Sequence, residues 1–313
     1  MVTNKALKAI FNDAMTLKNN ESCLIITDTQ KEPIGRVFYD FAKSICKKTD
    51  IIVIPPAGEH GQEPSPDVAE KMMMFDVQFY LTSKSLSHTK ARCRASENGA
   101  RIASMPAITA DIINRCCTVS YKELKEASKQ LHGRLSKAKL IRITTALGTD
   151  ITFESGDSKW FGENGGILDF PGAFGNLPEG EVSFSPYTSN GRYVVDASFP
   201  DLGVLKSPLF FQVKDNYVQD IQGEFSGVVR ARLDKVGAQA YRVAELGIGL
   251  NPKAKIIGIV LEDEKVKGTA HIAVGNNLSY GGANDVPLHL DGVILTPTIT
   301  LDGKVLIQAG QFC

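Results

Sequence analysis

Two rhythms of hydrophobic and polar positions divide the chain. From about residue 20 to 135, short apolar runs alternate with stretches of helical spacing. CLIITD (23–28) predicts a strand ending in Asp28, PIGRVFYDFAKSICKK (33–48) an amphipathic helix, and DIIVIPP (50–56) the next strand. DVAEKMMMF leads into a strand at VQFYLTS, and SHTKARCRASENGARIASM reads as a helix followed by another strand. Strand–helix–strand repetition at this length predicts a parallel sheet with helices on both faces. The Met72–Met74 run reads as core filler. YKELKEASKQLHGRLSKA (121–138) has the pattern of a polar amphipathic helix that bridges two domains.

After Lys139 the rhythm changes. KLIRITTALGTDITFE, EVSFSPY, RYVVDASF, SPLFFQVKD, YVQDIQG, AKIIGIVL, TAHIAVG and VILTPTITLDGKVLIQAGQF read as strands, with turn signals such as LDGK, DNY and NGR between them. Helical spacing returns mainly at 224–242. The expected architecture is therefore an α/β, Rossmann-like domain over residues 1–138 and a strand-rich α+β domain over 139–313.

At 313 residues the chain has room for two hydrophobic cores. Lys+Arg and Asp+Glu both number 35, so no global charge draws it to nucleic acid or to an anionic membrane, and neither is expected as a partner. MVTNKALKAIFNDAMTL lacks the apolar core of a signal peptide, and no window has the unbroken apolar length of a membrane span. The six cysteines form no C-x-x-C pair, and Cys23 and Cys46 sit among apolar residues. Free thiols in a reducing cytoplasm are the expectation. No G-x-G-x-x-G or P-loop follows the first strand, so a nucleotide site has no support.

The chemistry-bearing residues cluster late. His271 and His289 flank Gly-rich turns, and His289 is followed by Asp291 in HLD. An H-x-D pair in an extended segment puts both side chains on one face, where imidazole and carboxylate together suit zinc, cobalt, manganese or iron. An isolated H-x-D can also be a hydrogen-bonded turn, so its context matters. Glu179 and Glu181 lie in a Pro/Gly turn entering a strand in PEGEVSFSP. In AELGIGLNP, Glu245 reads as the end of a helix, placed among Ala244, Leu246 and Ile248, where an unpaired charge is costly. Glu262, Asp263 and Glu264, just ahead of His271, read as a solvated acidic run. Of the remaining histidines, His88 is not expected to bind metal.

NLPEGEV, ELGIGLNP, DEKVKGTAHIAVG and HLDG, in that order, together with SLSHTKARCRASENGARIASMP, resemble the aminopeptidase T / aminopeptidase S family of metallopeptidases. The resemblance covers nearly the whole chain. It implies a two-domain subunit, a homodimer, a small peptide substrate and two divalent ions (zinc, cobalt or manganese) in the C-terminal domain. Carried over motif by motif, Glu181, Glu245, His271, His289 and Asp291 fall on the metal ligands, with Glu181, Glu245 and Tyr280 as catalytic candidates. The family's tyrosine position holds Leu278 here, and Tyr280 is shifted from it. The same C-terminal pattern resembles an iron-dependent dioxygenase that opens a dihydroxypyridine ring with two histidines and one aspartate. His271, His289 and Asp291 would serve as that triad around Fe(II). The aminopeptidase is the leading expectation and the ring-opening dioxygenase its alternative, with a non-catalytic metal- or peptide-binding relative as a third.

Overall fold

The computed structural model of the protein describes residues 1–313. Two compact units make up the chain. One contains Met1–Lys125 and Asn164–Glu179, the other Glu126–Glu163 and Gly180–Cys313. Neither is a single continuous stretch.

The first unit is built on a parallel sheet in the order Lys48–Ile54, Ser22–Asp28, Val77–Leu81, Arg101–Ser104, Phe174–Asn176. Every residue of Ser22–Asp28, Val77–Leu81 and Arg101–Ser104 is buried, as parallel strands covered on both faces should be. Alternation along Val77–Leu81 feeds both faces. Phe79 packs with Phe11 and Phe38 on one side, while its neighbour Tyr80 joins Leu24, Ile26, Met72 and Ile102 on the other. Helices Glu32–Lys43, Pro66–Met72, Lys90–Glu97 and Ala110–Cys116 supply the covering layers. Thr89 and Thr109 cap the last two through their hydroxyl oxygens. The expected strand–helix alternation is therefore present. The sequence pattern gave no sign of the fifth strand, which arrives from residues 174–176, in the stretch that reads as the second domain. Of the methionine run, Met72 fills the core, but Met74 is exposed.

The second unit carries two antiparallel sheets. One runs Tyr217–Gln222, Leu209–Lys214, Thr188–Val195, Asp150–Glu154, Leu140–Thr144, Thr298–Leu301, Lys304–Gln308, Gln311–Phe312. Its strands Leu209–Lys214 and Leu140–Thr144 alternate buried and exposed positions, the mark of a sheet with one face on a core. The other runs His289–Ile294, Ala270–Gly275, Val243–Gly249, Glu181–Phe184, Trp160–Phe161. The helical spacing at 224–242 forms helix Ser226–Val236 and a short 3-10 turn, Ala238–Tyr241. No helix of the protein is long and apolar enough to cross a membrane.

Candidate metal centre

Register in the five-stranded sheet brings the sequence candidates together. Ala273 pairs with Glu245 on one side and Asp291 on the other, Gly275 faces His289, Gly247 faces His271, and Gly249 faces Glu181. Directly opposed residues share a face, and so do residues two apart on one strand. Glu181, Glu245, His271, His289 and Asp291 therefore project from one face of four neighbouring strands, with Gly247, Gly249, Ala273 and Gly275 between them. The glycines let neighbouring groups approach the sheet closely: a Cβ would meet the His271 ring at Gly247, the Val266 carbonyl oxygen at Gly249 and the Leu288 carbonyl oxygen at Gly275.

Two sequence expectations need correction here. Glu245 is not at a helix end but inside the strand Val243–Gly249, next to a register shift between Val243 and Glu245 that re-aims its side chain. The short helix Ala238–Tyr241 stops before it. Nor are Glu262, Asp263 and Glu264 solvated; all three are buried. Asp263 accepts hydrogen bonds from the backbone N–H groups of Ile257 and Gly258, and Glu262 accepts one from that of Lys255. Their carboxylates are held by a tight turn whose geometry the sequence does not display. Glu264 turns to the fully buried Lys265, whose Nζ lies 2.6 Å from Glu264 Oε1 and 2.6 Å from Glu181 Oε1. Lys265 was not among the candidate site residues. Its only signal in the sequence is a lysine set directly after the acidic run, ahead of the His271 strand.

His289 Nε2 lies 2.9 Å from Glu245 Oε2 and 3.1 Å from Asp291 Oδ1. His271 Nε2 lies 3.3 Å from Glu181 Oε2 and 3.7 Å from Glu245 Oε1. Three donor triplets converge within 4.8 Å: Glu181–Glu245–His271, Glu245–His289–Asp291 and Glu264–His271–Asp291. His289 Nδ1 is 2.7 Å from the carbonyl oxygen of Asn276, which accepts the Nδ1 proton and leaves the Nε2 lone pair facing the carboxylates. A lone pair beside two carboxylates needs a proton or a cation between them. Glu181 Oε2 and Glu245 Oε1 are buried without a hydrogen-bond partner, an arrangement a divalent ion would satisfy. The donor set therefore fits a metal.

The titration of the protein groups, without such an ion, shows the same pressure. Burial works to lower the His271 pKa, but the adjacent Glu245 carboxylate and the charges of Glu181 and Glu264 push it up to about 9. His289 is likewise raised despite its burial, by Asp291 and Glu245. Burial works to raise Glu245, yet both imidazoles hold it far below the usual carboxylate range. Glu181 is pushed up to about 7 by burial, against the pull of Lys265. Tyr280 is close by: its ring stacks on that of His289 at 5.4 Å, and Phe161 meets it edge-on at 5.9 Å. Burial of its hydroxyl and the neighbouring acids raise its pKa well above the usual tyrosine value.

Gly247 is a position where an added side chain would strike a candidate ligand directly. A Cβ there would lie 2.2 Å from His271 Cε1 and Nε2, so the imidazole would have to swing away. Gly247→Ala is expected to weaken metal binding about 10- to 100-fold, the loss typical when a ligand is disoriented. Titration of chelator-stripped protein checks this, and an unchanged affinity would show that His271 does not bind the ion.

His88 is exposed, one residue before the Thr89 cap in the first unit, and belongs to none of these triplets.

No curated protein sequence matches the chain. Among solved structures, a 2,5-dihydroxypyridine dioxygenase from Pseudomonas putida KT2440 is similar with a TM-score of 0.85 at 16% identity, covering 100% of this chain and 98% of that one. The wild-type AmpT structure from Thermus thermophilus is similar with a TM-score of 0.71 at 15% identity, covering 98% of each. At these identities both similarities establish the fold. Residues 53–313 match the family described as NicX, 2,5-dihydroxypyridine 5,6-dioxygenase. Of the two enzyme expectations, these findings back the ring-opening alternative better than the aminopeptidase. With the match running over most of its length, the chain belongs to the 2,5-dihydroxypyridine 5,6-dioxygenase (NicX) family.

Proposed function

We propose that the protein is a mononuclear Fe(II) dioxygenase that opens a hydroxylated pyridine ring of the 2,5-dihydroxypyridine type. The observation that carries the reading is that two imidazoles and a carboxylate, His271, His289 and Asp291, project from one face of adjacent strands beside an aromatic ring, Asp291 belonging both to the donor triplet of His289 and to one of those of His271. Two histidines and a carboxylate with open positions are the donor set of non-heme Fe(II) oxygenases. Bound there, a redox-active ion would supply the one-electron exchange that lets O2 react with an electron-rich ring.

The chain's own groups do the rest. Tyr280, stacked on His289 and in T-shaped contact with Phe161, puts an aromatic cluster beside the donors for a substrate ring to pack against. Glu181, pushed up to about 7, is the carboxyl suited to take the proton of a ring hydroxyl near neutral pH. The Asn276 carbonyl fixes the His289 tautomer. The ring substrate loses a C–C bond and both oxygen atoms enter the product, so no external reductant is required.

A second reading, a two-metal aminopeptidase, has one observation in its favour: Glu181 and Glu245 extend the donor set beyond a triad. Protein purified anaerobically, stripped with chelator and reloaded with Fe(II) separates the two. The expected result is one O2 consumed per 2,5-dihydroxypyridine, with loss of the ring's ultraviolet absorption. Hydrolysis of leucyl p-nitroanilide by zinc-, cobalt- or manganese-loaded protein, with no O2 uptake by the Fe(II) form, would overturn the dioxygenase.

A further inference from the structure

Lys265 stands apart in the centre as its one ammonium. Its side chain is fully buried and its backbone is pinned, the N–H donating to Glu262 O at 2.9 Å and the carbonyl accepting from Asn251 N at 2.8 Å. The ammonium lies 2.6 Å from an oxygen of Glu181 and 2.6 Å from an oxygen of Glu264. Those carboxylates belong to two of the three donor triplets, Glu181–Glu245–His271 and Glu264–His271–Asp291. A dication seated in either would share a carboxylate with the ammonium and face it at close range in a site sheltered from water, where like charges repel strongly. In the triplet Glu245–His289–Asp291, both carboxylates are engaged with the His289 imidazole.

We propose that Lys265 is a built-in cation that takes the place of a second metal ion and holds the centre to one ion, at Glu245–His289–Asp291 with His271 alongside. The charge count agrees. Glu181, Glu245, Glu264 and Asp291 carry four negative charges when ionised, and Lys265 reduces the sum to three. One dication leaves a single residual negative charge, whereas two would make the centre positive. Without the ammonium, two dications would balance the four carboxylates. The inference rests on the mononuclear part of the reading above but not on the substrate.

The test counts ions rather than turnover. Chelator-stripped wild-type protein, Lys265→Arg and Lys265→Met are titrated with Mn(II) by calorimetry, and electron paramagnetic resonance reads whether bound ions are paired. The expected result is one Mn(II) per chain for wild type and Lys265→Arg, rising toward two exchange-coupled ions for Lys265→Met. Two ions in the wild type, or one in a folded Lys265→Met at saturating Mn(II), overturns the proposal. Should Lys265→Met not fold, the wild-type and arginine counts decide: one ion in both supports the proposal, two in either refutes it. One ion without ring opening would remove the substrate reading and leave the role of Lys265 standing; two ions with ring opening intact would do the reverse.

Discussion

His289→Ala and Asp291→Ala are each expected to remove metal at working concentrations and to lower turnover by about a thousandfold or more, with the fold retained. Both side chains approach the same position, His289 Nε2 lying 3.1 Å from Asp291 Oδ1. Losing either removes one donor of a triad and, with it, the ion's contribution of several kcal/mol to the reaction, about tenfold in rate for each 1.4 kcal/mol. The fold should persist because neither side chain belongs to the hydrophobic layer on the other face of these two strands, which is formed by Ile272, Val274, Leu290 and Ile294, all buried. Metal analysis, circular dichroism and O2 uptake on the same preparations check the three parts. A variant with full metal and full turnover would show that the His-x-Asp pair is only a structural hydrogen bond.

The metal-free protein should lose stability as pH rises from about 6.5 to about 9, and an added divalent ion should restore more of it the higher the pH. His271 has its folded-state pKa raised from 6.5 to about 9. A raised histidine binds its proton more tightly when folded, so its contribution is complete below about 6.5 and is lost as pH climbs through 9. At 1.4 kcal/mol per pKa unit, that shift amounts to roughly 3 kcal/mol. His289 is shifted in the same direction and adds to the slope. Glu181, raised from 4.5 to about 7, loses its contribution mostly below this interval. Glu245 is depressed, and its contribution is lost only on acidification, below the carboxylate range. Metal reverses the trend because it replaces the protons that the imidazoles must otherwise carry. Thermal melting at several pH values, with chelator and with Mn(II), tests this. A chelated protein whose melting temperature is flat or rises over that interval would contradict it.

Local patterns fixed much of the fold in advance. Alternating apolar runs and helical spacings in the first third announced a parallel sheet, because such a sheet buries its strands on both faces and so writes them as continuous apolar runs like CLIIT. The period-2 geometry of an extended segment likewise placed His289 and Asp291 on one face before any tertiary contact was known. The candidate ligands were legible as residue types set in order along the chain.

What tertiary structure decided was everything that depends on pairing between distant segments. Whether Glu245 faces the two histidines depends on a bulge against the strand Ala270–Gly275, which local helical spacing up to Tyr241 cannot reveal. Whether Glu264 is solvated or buried depends on the turn around 255–265, and the same holds for Lys265, whose partner Glu181 lies far away in the chain. The fifth strand of the first sheet, Phe174–Asn176, is three residues long, too short to carry a period, and exists only because Arg101–Ser104 offers an open edge. A sequence records which groups are present and how neighbouring ones alternate. Which of them share a face, and which charge neutralises which, is set by strand register, and register is a property of two segments at once.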